Sequence, residues 1–103
     1  MGKNRIIKIL GNVIGNIVVH KVLVKYTNRP ESINHLTEEV GTYRDNALET
    51  AQEFNWSDKD TEEIKQKSMK KFEKDMKKYY NDVKFPIAEV DSIINETMKE
   101  CNI

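Results

Sequence analysis

The sequence predicts an all-α protein, a four-helix, mostly antiparallel bundle formed by a single helical domain over residues 1–103. Three observations predict it. Apolar residues recur at spacings of three and four through most of the chain, which is the period of an α-helix. Only two prolines punctuate the chain. Pro30 and Pro86 each stand where a helix would begin, where the missing N–H costs little. No Gly/Ser linker, repeat or low-complexity tract intervenes, so consecutive helices have short connections and pack antiparallel.

The first helix is expected from about Asn4 to Tyr26. At 100° per residue, Ile6, Ile9, Leu10, Val13, Ile14 and Ile17 share one side, while Arg5, Lys8, Gly11, Asn12, Gly15 and Asn16 share the other. The apolar side then changes: Val19, Val22, Leu23 and Tyr26 project where the surface was polar before Gly15. An N-terminal β-hairpin turning near residues 11–16, followed by three helices, is the alternative, because Ile and Val favour strands.

The second helix is expected from Asn28 or Arg29 to about Phe54. Asn28 and Glu31 resemble a capping box around Pro30, and Ile33, Leu36, Val40, Tyr43, Ala47, Ala51 and Phe54 form the apolar stripe. The third opens at a second capping signal, Ser57 with Asp60, and carries Met69, Phe72, Met76, Tyr79, Tyr80 and Val83 on its stripe. Trp56 is expected to cap the core at the turn between these two helices. Residues 81–85 break the pattern. The fourth helix starts at Pro86, with Ile87, Val90, Ile94, Met98 and Cys101 on one side.

Composition excludes several function classes. With 17 basic and 17 acidic residues the chain has no net field to steer the whole molecule towards nucleic acid or membrane, so electrostatic function must come from local segregation. The single cysteine, Cys101, rules out an intrachain disulfide and suits a cytoplasmic location. Gly11, Asn12, Gly15 and Asn16 interrupt the apolar N-terminal stretch, so no transmembrane segment is expected. No Walker loop, dinucleotide fingerprint or nucleophile–histidine pairing is legible, and no cofactor and no metal site are expected; His35-x-x-Glu38 beside Glu31 and Glu39 has the wrong order for a di-metal bundle.

Charge is nonetheless segregated. Residues 1–30 carry Lys3, Arg5, Lys8, Lys21, Lys25 and Arg29 with no acid. Residues 31–55 carry Glu31, Glu38, Glu39, Asp45, Glu49 and Glu53 against Arg44 alone; the third helix is basic again and the fourth acidic. Alternating signs favour adjacent antiparallel helices. The sharpest feature is on the third helix, where Lys67, Lys70, Lys71, Lys74, Lys77 and Lys78 fall within about a third of the circumference. Lysines in such a row suit phosphate contact, and the absence of arginine or aromatic residues among them argues against base recognition.

The primary functional expectation is a non-enzymatic helical interaction or regulatory protein with an unknown protein partner, self-associating as a homodimer through its first helix. The reason is the change of face: one core is expected to cover only one side, leaving Ile6, Leu10, Val13, Ile14 and Ile17 for a second copy. Gly11-x-x-x-Gly15, with Lys8, Asn12, Asn16 and His20 beside it, would let another helix approach closely. The alternative is a nucleic-acid or anionic-surface binding module using the lysine row. A third expectation starts from Arg29 and His35. Their Arg-x(4–6)-His spacing is similar to the motif of HEPN-type helical ribonucleases, a small all-α family, and the resemblance implies a catalytic Arg29–His35 pair at a dimer cleft.

Overall fold

A computed structural model describes residues 3–26 and 33–103, the side chains of residues 33–36 excepted. Arg29, Pro30 and the Asn28–Glu31 capping signal therefore lie outside the described residues, as does the side chain of His35. Four helices are present: α1 (Lys3–Tyr26), α2 (Ile33–Ala51), α3 (Asp58–Tyr79) and α4 (Ile87–Glu100), and no strand occurs among the described residues. The four-helix fold is the expected one, and the hairpin alternative is excluded because α1 runs unbroken through Gly11–Asn16.

α1 is the central element, packed against α2, α3 and α4, which touch one another far less. Its β-branched residues lower its intrinsic helicity, but burial on nearly all sides outweighs that preference. Ile7, Leu10, Ile14, Ile17, Val18 and Val22 are all at 0–1 % exposure, each contributing about 1.5–3 kcal/mol by leaving water. The change of face along α1 is thus resolved within one chain. Both the early set (Ile6, Leu10, Ile14, Ile17) and the late set (Val19, Val22, Leu23) are buried, Val13 is half-buried, and Ile9 is left at the surface. The premise that a monomer covers only one side of this helix does not hold, because the other three helices surround it.

α1 and α2 are antiparallel: Lys3 donates to the Asn55 carbonyl just beyond α2 (2.7 Å), and His20 meets Glu39 near the start of α2. α4 also runs against α1, with Tyr26 and Lys25 on Glu89 and Lys21 on Thr97 (2.9 Å) and Glu100 (2.8 Å). α1 and α3 run in the same direction, since Gly11 lies on Lys67 and Gly15 on Lys71.

The Ser57 signal is a complete capping box: the Ser57 hydroxyl accepts from the Asp60 N–H (3.1 Å) and the Asp60 carboxylate from the Ser57 N–H (3.2 Å). Trp56 is half-buried beside Phe54 and donates its indole N–H to the Ala51 carbonyl (3.1 Å), closing the α2–α3 turn as expected. α4 stops where Asn102 takes a left-handed φ of 59°, and the Ile103 N–H returns to the Met98 carbonyl (3.0 Å).

Several side chains depart from the expected stripes. Phe72 and Met76 are buried, but Tyr43 and Phe54 are only half-buried. Tyr79, the last residue of α3, is 62 % exposed and Ile87, the first of α4, is 79 % exposed. The face that α3 turns to the core is Ile64, Ser68, Phe72, Asp75 and Met76, a stripe that contains two polar residues.

Candidate functional site: a lysine cleft between α1 and α3

The Gly11-x-x-x-Gly15 pair sets the distance between α1 and α3. A Cβ on Gly11 would stand 2.5 Å from the Lys67 Cβ, and one on Gly15 would stand 2.6 Å from the Lys71 Cβ and 3.0 Å from the Ser68 carbonyl oxygen. Real Cβ atoms do not approach so closely, so the two backbones meet only because both side chains are absent. The close-approach site expected for another copy is occupied by α3 of the same chain.

With the backbones in contact, the side chains of Lys67 and Lys71 splay outward past the glycines. An open cleft of about 310 Å³ forms above them, lined by Lys8 and Asn12 from α1 and by Lys67, Lys70, Lys71 and Lys74 from α3. Lys8 and Asn12, one turn apart, were legible only as a polar strip; the structure makes them the wall that faces the lysine row. Asn16 and His20 turn elsewhere: His20 Nδ1 donates to the Asn16 carbonyl (2.7 Å), and its Nε2 meets Glu39 while its ring edges onto Tyr43.

Ion pairing separates the cleft from the rest of the surface. Lys3 pairs with Asp60 (2.7 Å), Lys21 with Glu100 (2.8 Å), Lys25 with Glu89, and Lys65 with Asp91 (2.9 Å). The acidic α4 thus answers the basic α1, as alternating charge suggests. Of the lysines lining the cleft, Lys71 is engaged, with Asp75 one turn on (3.2 Å), a carboxylate 9 % exposed. Among the described residues, Lys8, Lys67, Lys70 and Lys74 form no ion pair. Lys77 and Lys78 continue the row beyond the cleft, Lys78 standing over the Tyr79 ring (5.2 Å). The row begins one turn after Glu63 on α3.

The other candidate residues do not assemble into a site. Ile6, Leu10, Ile14 and Ile17 are core. Arg29 and the His35 side chain lie outside the described residues, so the structure brings nothing to the ribonuclease-like pair. Among the described residues no group of three His, Cys, Asp or Glu side chains is placed to hold a metal ion. Cys101 is buried, and burial, reinforced by Glu100, pushes its thiol up to about 11. α1 is long and apolar enough to cross a membrane, but 61 % of that stretch is buried inside the bundle, so here it serves as the core. No protein-family model matches the chain, and neither a curated protein nor a solved structure matches it.

Proposed function

We propose that this protein is a small, non-enzymatic polyanion-binding module whose docking surface is the α1–α3 cleft. One observation carries the reading: two basic helices are held backbone to backbone by Gly11 and Gly15, with lysines on both walls, of which only Lys71 meets a carboxylate, Asp75, among the described residues. Crowding like charges in this way disfavours the folded state, and a bound polyanion removes that cost while releasing its counterions. The lysines reach the cleft on flexible stems and act as point charges, which suits repeating phosphate or sulfate groups better than one small planar ligand.

Retention on immobilised heparin tests this reading. The unmodified protein is expected to bind at low salt despite its zero net charge and to elute as salt rises. A variant carrying Lys70→Gln, Lys74→Gln and Lys77→Gln is expected to elute markedly earlier. Passage of the unmodified protein through the column at low salt overturns the proposal.

A further inference from the structure

Building on that reading, we infer that the occupant of the cleft is the sugar–phosphate backbone of a nucleic-acid duplex, held without reading of its bases. The lysine row supplies the first argument. From Lys67 to Lys78 it spans about 17 Å of helix axis at 1.5 Å per residue. One strand of a duplex presents a phosphate about every 3.4 Å along its axis, so that length faces about five phosphates. With Lys71 held by Asp75, the five other ammonium groups along α3 match one strand nearly charge for charge.

The shape of the cleft supplies the second. Lys8 and Asn12 stand across from Lys67, Lys70 and Lys74, so cations from two helices border one shallow, open depression. A projecting backbone ridge enters such a depression with lysines on either side. A bilayer surface is broad, and proteins that lie on it set apolar side chains beside their basic ones to reach the acyl boundary. The described residues that line this cleft are all polar or charged.

The lining chemistry supplies the third. Proteins that hold single strands stack bases on aromatic side chains, and among the described residues no aromatic side chain lines the cleft. Base reading in a groove relies on Arg, Asn or Gln forks. The one amide present, Asn12, sits on the α1 wall one turn from Lys8, placed to donate to a phosphate or sugar oxygen. What remains is backbone contact, for which base-paired nucleic acid offers the regular array. DNA and RNA duplexes share this chemistry.

The test is fluorescence anisotropy with labelled DNA and RNA duplexes of mixed sequence and with a single strand of equal length, beside co-sedimentation with phosphatidylserine-rich vesicles and a polyphosphate competitor. At least one duplex type is expected to bind at low salt, independently of sequence and more tightly than the single strand, with vesicles left unbound. Log affinity should fall with log salt at a slope of about −4 to −5. Replacing Lys8, Lys67, Lys70 and Lys74 by Gln should flatten that slope by about 3–4 with an unchanged circular dichroism spectrum. Replacing the exposed Lys59, Lys84 and Lys99 by Gln, which removes three charges elsewhere against four in the cleft, should leave it unaltered. A single strand preferred over both duplexes, vesicle binding without duplex binding, or equal flattening by the two variants overturns the duplex assignment while polyanion binding stands. Failure of every anion, polyphosphate included, overturns both.

Discussion

Gly15 lies flush against Lys71: a Cβ placed on the glycine would stand 2.6 Å from both the Cβ and the Cγ of the lysine. The contact involves the root of the lysine side chain, which cannot swing away as its tip could. Mid-helix alanine is ordinarily favoured over glycine by about 1 kcal/mol. Here Gly15→Ala is expected to reverse that sign and destabilise by about 1–3 kcal/mol, since α1 and α3 must separate to admit the methyl group. Urea unfolding measures it, and a raised midpoint would show that the helices can part at no cost. The same variant should weaken polyanion retention, because Lys8 and the α3 lysines would no longer share one cleft.

Ile14 is fully buried by the helices of its own chain. Ile14→Ala is therefore expected to cost about 2–5 kcal/mol, and the loss should be the same at every protein concentration. A melting midpoint that climbs with concentration in the unmodified protein, but not in the variant, would assign part of that burial to a second copy.

Stability should fall away at both ends of the pH range through two surface clusters. Lys3, with the Ser57 N–H, holds the Asp60 carboxyl below its ordinary 3.8, and Lys25, with Tyr26, holds Glu89 below 4.5. A depressed native pKa means that the unfolded chain binds more protons, so this stabilisation is complete above those ordinary values and is lost as pH falls through the lowered native ones. In turn, Glu89 raises Lys25 above 10.5 and Tyr26 above 10.0. Their contribution is complete below those values and disappears as pH rises through the raised ones. Urea midpoints of the unmodified protein and of Glu89→Gln should differ most between these two windows and converge at either extreme. A gap independent of pH would assign the effect to packing and not to charge.

Cys101 should resist thiol reagents in the native state at mildly alkaline pH. Its thiol is buried and titrates near 11, so little thiolate is present and little of it is reachable. Labelling is expected to follow the urea unfolding curve. Immediate labelling without denaturant would place this residue outside the core.

The extent of each helix was largely legible in the sequence, and the reason is local. The Ser57–Asp60 box, the prolines and the three-and-four spacing act within single turns, so they report where helices begin and which face is apolar. Which helix stands at the centre is a different matter, decided by how much of each circumference is apolar. α1 announced this by carrying two apolar faces, Ile6 to Ile17 and Val19 to Tyr26. Those faces suggested a second copy because the expected layout gave α1 only one neighbouring core. The buried face of α3 was hidden for another reason: Ser68 and Asp75 are polar and fall outside the expected stripe, yet Ser68 satisfies its hydroxyl on the Ile64 carbonyl (2.8 Å) and Asp75 its carboxylate on Lys71. The lysine row could be read directly from its spacing. Its opposite wall, Lys8 and Asn12, could not, because only the parallel docking of α1 on α3 through two glycines brings them together.

The central position of α1 also bears on how the chain is made. Synthesis delivers this helix before any of its three partners, and its apolar stretch is long enough to resemble a membrane segment while it stands alone. α2 can cover only part of it, and α3, against which both glycines lie, is complete only once residue 79 has emerged. Because α2, α3 and α4 hold to α1 far more than to one another, no pair of them forms a core in its absence. Until α3 and α4 have followed it, α1 therefore keeps adhesive surface exposed. Native structure should thus accrue late and in a single cooperative step, with the early chain dependent on shielding by other components of the cell.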